Sequence, residues 1–251
     1  MCTLTWFNTD QGYEVFFNRD EQRARKVAIP PQRFLDKNVE VIIPTDPDGG
    51  GSWISVNQHG MTLCLLNYYQ GTIPRRPLIS RGLLLRSLAR LAEINEVTQQ
   101  LLDIDLGQYA PFTLVVFQPQ QSTQFVNTFH DVNELCFCWD GEELTNSQPA
   151  NFMTSSSVKF DEVCKSRQRV FSDSISKKTA DQHLFFHKGH DQIQGQNQPN
   201  FRSVCMHRED AKTVSFSHIQ VSDSAISFDY INGSPCEPTT SSVNQTIKST
   251  A

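Results

Sequence analysis

The chain has 251 residues, with 22 basic and 27 acidic side chains and a formal net charge of −5. Hydrophobic residues make up 38% and charged residues 20%, proportions that exclude a wholly disordered chain. The acidic balance argues against a nucleic-acid partner held by phosphate neutralisation, and no apolar run approaches the ~18 residues of a membrane helix.

Taken in order, the elements are mostly strands. Thr3 to Phe7 and Tyr13 to Asn18 are β-branched and aromatic runs joined by Thr9-Asp10-Gln11-Gly12, which predicts a hairpin. Ser52 to Asn57 and Met61 to Tyr68 repeat the pattern around Gln58-His59-Gly60. Between the hairpins a loop is expected, ending in Thr45-Asp-Pro-Asp-Gly-Gly-Gly51, where three glycines permit close backbone approach. Ser80 predicts the cap of one helix running to about Leu102, with Leu84, Leu88, Leu91 and Leu102 on its apolar stripe. Strands are then expected at Phe112 to Phe117, Gln124 to Phe129, Glu134 to Trp139 and Phe152 to Ser155. Helices follow over Phe160 to Phe171 and Ala180 to His187. Phe201 to Met206, Thr213 to Val221 and Ala225 to Ile231 read as three closing strands. From Glu237 the chain is rich in Ser and Thr and poor in large apolar groups, which predicts a disordered tail over 237–251. No repeat or linker divides residues 2–236, so a single α+β domain with two sheets and segregated helices is expected.

Seven cysteines, an odd number, do not make a secreted disulfide framework, and the first twenty residues lack the pattern of a secretory signal. A reducing, cytoplasmic compartment is expected. His183, His187 and His190 would align on an unbroken helix, but Gly189 interrupts it, and His190 with Asp191 is placed instead at the rim of an active site. Cys136 and Cys138 read as core cysteines. Cys205 and His207 form a soft pair on one strand face, with nothing that requires a metal, and no metal site is assigned. Arg208, like Arg202, is a candidate for an anionic substrate group.

Cys2 stands apart. Methionine before a small residue is the usual substrate for initiator removal, and a chain beginning at Cys2 carries a thiol and an α-amine on one residue. The amine titrates near about 7.7–8.0 and can act as base, while the thiol is the best side-chain nucleophile. The strand Thr3-Leu-Thr-Trp-Phe7 would hold both still.

Met1-Cys-Thr-Leu4, Phe17-Asn-Arg-Asp-Glu21, Gly50-Gly-Ser-Trp53 and Gly60…Leu66-Asn67-Tyr68 follow one another within seventy residues. Together with Trp139-Asp-Gly141, Thr154-Ser-Ser-Ser157, His190-Asp191 and Ser203 to Ala211, they resemble the NRDE family, also called the transport and Golgi organisation protein 2 family, in its bacterial form. The resemblance implies an N-terminal nucleophile hydrolase fold, a four-layer αββα sandwich, and a distant similarity to penicillin V acylase and choloylglycine hydrolase. It implies Cys2 as nucleophile, Arg19 and Asp20 as the partners of its thiol and amine, and Asn67 as oxyanion donor. Asn18, Glu21, Trp53, Ser155, His190 and Arg208 fall on motif positions expected to meet substrate. Two departures stand out. In the acylases two residues separate the arginine from the aspartate, whereas Arg19 and Asp20 adjoin, which leaves open whether Asp20 or Glu21 meets the amine. Ser155 also stands where the acylases carry an asparagine. The implied activity is cleavage of a non-peptide C–N amide bond in a small amide substrate, without a cofactor. The alternative implied by the family is a binding or trafficking protein for haem or a lipid-like ligand.

Overall fold

The structure is a computed structural model that describes residues 1–75, 78–120, 133–193, 196–238 and 241–250. The chain opens with β1 (Cys2–Thr9) and β2 (Gly12–Gln22), an antiparallel hairpin in which Cys2 lies opposite Arg19. Its turn needs glycine. Gly12 has φ +149°, and a Cβ there would lie 2.2 Å from the carbonyl oxygen of Val221. β3 (Ile29–Asp36) and β4 (Val39–Thr45) come next, where only a loop was expected. β3 is an edge strand, so Pro30 and Pro31 at its start remove no central ladder bond. β5 (Ile54–Asn57) and β6 (Thr62–Asn67) form the second expected hairpin.

The single expected helix from Ser80 is two: α1 (Arg81–Leu88) and α2 (Ile94–Asp103). Asn57 explains the break, because its side-chain amide donates to the carbonyls of Ala89 (2.9 Å) and Leu91 (2.7 Å), released where α1 ends. Glu93 and Glu96 then close a capping box that starts α2. β7 (Phe112–Phe117), β8 (Glu134–Trp139), β9 (Leu144–Ser147) and β10 (Phe152–Ser155) follow, with α3 (Phe160–Ser174) and α4 (Ala180–Lys188) after them. The strand expected at Gln124 to Phe129 lies outside the described residues.

A small ribbon, β11 (Asp191–Ile193) with β12 (Gln196–Gln198), leads to β13 (Ala211–Ser222) and β14 (Ala225–Asn232). Phe201 to Met206 is not a strand: it turns, with Ser203 Oγ accepting from the backbone of Asp191 and Asn200. The stretch from Glu237 is likewise no disordered tail. It carries β15 (Ser241–Lys248), paired antiparallel with β14, with Ile247 buried in the core between the sheets. Six hydroxyl and polar side chains on an edge strand look like a tail by composition, yet one buried apolar anchor suffices.

The strands make two main antiparallel sheets, ordered β10-β1-β2-β13-β14-β15 and β3-β4-β5-β6-β7-β8-β9. Leu4, Trp6, Val15 and Phe17 of the first meet Ile42, Ile54, Val56 and Val115 of the second. α1 and α2 cover the second sheet's outer face, and α4 with α3 covers the first sheet's. The four layers are therefore helix, sheet, sheet, helix.

Candidate active site

Strand alternation decides what surrounds Cys2. Successive side chains of a strand point to opposite faces. Cys2, Leu4 and Trp6 therefore face the second sheet, together with Phe17 and Arg19 of β2, while Thr3, Thr5, Asn18 and Asp20 face the helices. Cys2 is buried and borders a cavity of about 150 Å³, whose other walls include Arg19, Glu21, Asp46, Trp53, Asn67 and Arg81.

The backbone nitrogen of Cys2, which would be the α-amine in a chain lacking Met1, donates to Ser155 Oγ at 3.0 Å. Ser155 lies directly opposite Cys2 on β10, so pairing register aims the hydroxyl at that nitrogen. Arg19 stacks over Trp53, with the guanidinium carbon 4.1 Å from the ring centroid, and its Nη2 donates to Glu21 and Asp46, each at 3.2 Å. Arg25 pairs with the same Asp46 and lies beside Glu21. Asn67 Nδ2 donates to Tyr69 Oη at 2.8 Å. Gly51 and Gly82 close the wall: a Cβ on Gly51 would sit 2.2 Å from the Gly82 carbonyl carbon, so bare backbone alone lets the loop touch the start of α1.

Burial pushes the Cys2 thiol up, the chain's terminal ammonium and Arg19 pull it down, and the Asp20 carboxylate adds to the rise. The thiol is therefore held in its neutral form. Burial alone would lower the Met1 ammonium, but Cys2, Tyr69 and Asp20 together raise it. That ammonium donates to the Asp20 carbonyl at 3.1 Å and to Tyr69 Oη at 3.4 Å. The Met1 side chain fills a recess with Met206 and Ala211. A second cavity of about 80 Å³ lies on its other side, and Met1, Asp20 and Glu21 border both.

The expected residues therefore separate into groups. Cys2, Arg19, Glu21, Trp53, Asn67 and Ser155 come together. Arg208 borders the second cavity, its Nη1 3.9 Å from Met1 Sδ. The Asp20 side chain is fully buried on the opposite face, where its carboxylate meets Arg167 Nη2 at 3.3 Å and accepts from Thr213 Oγ1 at 2.6 Å. It does not meet the Cys2 nitrogen, and neither does Glu21, whose carboxylate is taken by Arg19 and Arg25. Adjacent strand residues cannot both serve one face, which is why Arg19 and Asp20 part. Asn18 is also on the helix side, donating to the carbonyls of His187 and Val204. His190 lines neither cavity. The imidazoles of His183 and His187 both meet Thr5 Oγ1, at 2.8 and 2.9 Å, while His190, beyond Gly189, lies near Cys205 and His207. Asp46, Arg25 and Arg81 are cavity residues that the motifs did not mark. Asp46 sits in the glycine loop, and Arg81 follows the Ser80 cap, so only proximity to marked positions hinted at them.

No helix among the described residues is long and apolar enough to cross a membrane. In its fold the chain is similar to the Caenorhabditis elegans N-acylethanolamine-hydrolyzing acid amidase ortholog. The TM-score is 0.56 and the identity 9%, over 95% of this chain and 94% of that one. It is also similar to the C2A mutant of conjugated bile acid hydrolase from Clostridium perfringens, with TM-score 0.53 and 12% identity over 100% and 97% of the two chains. A second variant of that hydrolase gives TM-score 0.51 and 13% identity over 98% and 97%. The two antiparallel sheets and their flanking helices are thus those of N-terminal nucleophile hydrolases. No curated protein matches the chain in sequence. The family model described as Transport and Golgi organisation 2 matches residues 1–231, nearly the whole chain with its amino-terminal motifs, and the chain belongs to that family.

Proposed function

We propose that the protein is a cysteine amidohydrolase that cleaves a non-peptide C–N amide bond, with Cys2 as nucleophile once Met1 has been removed. One observation carries this reading: Cys2 borders a polar cavity with its backbone nitrogen held by Ser155 Oγ, so thiol and future amine are both fixed. Met1 separates two cavities, and its loss would join them beside the thiol.

The chemistry then follows from the residues present. The free α-amine takes the thiol proton, and the sulfur attacks the amide carbon, forming a C–S bond. Asn67 offers a side-chain N–H to the developing oxyanion, a role worth about 3 kcal/mol when one such donor is removed. The amine's proton passes to the leaving nitrogen as the C–N bond breaks, leaving a thioester on Cys2. Water, deprotonated by the same amine, attacks the thioester and releases the acid. Arg19, steadied by Trp53, Glu21 and Asp46, favours the thiolate in this sequence. Ser155 orients the amine where a carboxylate was expected.

A carrier of haem or of a lipid-like ligand, without turnover, is the competing reading. It draws nothing from this cavity, which is lined by charged groups and smaller than the about 300–1,000 Å³ of ordinary ligand pockets. Seven unbridged thiols support a reducing, cytoplasm-like compartment for either activity.

Intact mass comes first as the test: the purified chain is expected to lack one methionine. A β-lactone probe should then modify Cys2 ahead of the other thiols, and Cys2→Ala should abolish both labelling and release of amine from simple N-acyl substrates. Retained Met1, or unchanged hydrolysis in Cys2→Ala, would overturn the proposal. Haem binding with unchanged affinity in Cys2→Ala and no amide cleavage by the parent protein would establish the carrier instead.

A further inference from the structure

Away from the cavity, three segments bring four soft donors to one point. His190 follows α4, Cys205 and His207 lie in the turn before β13, and Cys236 lies just after β14. Cys205 Sγ is 3.2 Å from Cys236 Sγ and 3.7 Å from His207 Nε2, and His207 Nε2 is 3.2 Å from Cys236 Sγ. One donor atom from each of the four residues lies within 4.8 Å of all the others. His190 Nε2 is buried and has no hydrogen-bond partner among the described residues. A buried ring nitrogen with nothing to bond is costly, and here it sits in the group that would give it a ligand.

From these observations we infer that His190, Cys205, His207 and Cys236 form a closed, structural Cys₂His₂ site for a zinc ion. Zn–S bonds of about 2.3 Å and Zn–N bonds of about 2.0–2.1 Å give a tetrahedron with edges of roughly 3.3–3.8 Å. The two S–N separations lie within about 0.4 Å of their edge of roughly 3.6 Å, and the S–S separation is about 0.6 Å shorter than its edge of roughly 3.8 Å, a gap that the ion would open. Two thiolates with two imidazoles suit zinc rather than calcium or magnesium, which take oxygen ligands. Four protein ligands leave no open position, so the ion holds structure and does no chemistry.

Backbone bonds already steady the donors. The Cys205 N–H donates to the Gly189 carbonyl at 2.9 Å, beside His190, and Ser234 Oγ donates to the Thr213 carbonyl at 2.8 Å, two residues before Cys236. The ion would tie these segments under the first sheet. Met206, between two ligands, accepts from the Thr213 N–H at its carbonyl, donates its own N–H to Thr213 Oγ1, and helps form the recess that holds Met1. Thr213 in turn holds Asp20. The site would thus fix the floor beneath the nucleophile strand without touching the cavity, and it does not depend on any activity of Cys2.

The alternative for two sulfurs 3.2 Å apart is a disulfide, whose bond is about 2.0 Å. Metal analysis of the purified full chain after gel filtration is expected to find one zinc per chain, retained in Cys2→Ala and lost in Cys236→Ser. Cobalt added to the apoprotein should give a thiolate-to-metal charge-transfer band and tetrahedral visible bands. If Cys236→Ser fails to fold, alkylation of the parent protein decides: Cys205 and Cys236 should be protected until a strong chelator is added, then both react. Zinc far below one per chain, a cobalt spectrum without the thiolate band, or two cysteines that react only after a reductant would each overturn the site.

Discussion

The outer face of the second sheet meets α1 and α2 through Leu84, Leu85, Leu88, Val97 and Leu101, an aliphatic seam with the carbon side chains of Leu63, Leu114 and Val116. The first sheet's outer face meets α3 and α4 differently. There Arg167, fully buried, donates to Thr3, Thr154 and Asp20, and Thr5 bridges two imidazoles. Aliphatic contacts are non-directional and tolerate a shift of an ångström, whereas hydrogen bonds between buried groups hold one register. The strand that carries Cys2 is packed by the second kind. Arg167 alone reaches β1, β2 and β10, the three strands that position Cys2, Arg19 and Ser155.

The contrast can be broken most sharply at Arg167. Arg167→Met leaves the Asp20 carboxylate buried without its cation and should cost about 4 kcal/mol, read by urea denaturation. It should also slow probe labelling of Cys2, since β1 and β2 lose their common anchor. A cost under about 1 kcal/mol would mean that the buried pair does not organise this face. On the other sheet, Leu88→Ala should cost about 3 kcal/mol through the cavity it leaves, with Cys2 labelling unchanged in the folded protein. Equal effects of the two substitutions on labelling would erase the distinction.

The smallest effect is a pH dependence confined to the polar face. Burial lowers His183 to about 4 and holds His187 well below its ordinary value, with neighbouring positive groups adding to the shift at His187. In the unfolded chain both imidazoles take a proton near about pH 6.5. Folded stability is therefore full above that pH and falls as pH drops towards about 4, because only the unfolded state binds the protons. Thermal melts across this window should show the decline, and the increment lost in Leu88→Ala should not change with pH.

What the sequence made legible follows from how local each signal is. Cys2, Arg19, Trp53 and Asn67 sit in short motifs within seventy residues, and hairpin register carries them to one place. The placing of the Asp20 side chain on the face opposite Arg19 was also legible, since a strand's period of two separates adjacent residues. Arg167 carried no signal at all: an arginine in mid-helix reads as solvated until α3 is laid across the sheet. The metal ligands were scattered over 47 positions of sequence between His190 and Cys236, so Cys236 could join them only through the β13–β14 pairing. β3 was hidden by its prolines, and β15 by a polar composition that an edge strand accepts.

The order β10-β1-β2-β13 in the first sheet also sets a timetable. β1 and β2 are made before both strands that flank their hairpin, β10 and β13, which come from the second half of the sequence. Pairing of β2 with β13 waits for residue 211 and beyond. At about 5–20 residues per second the hairpin stands with open edges for about 10–40 s. If Met1 is lost as proposed, that interval, before β13 closes over β2 and Met1 is buried, is the one in which an aminopeptidase would reach it.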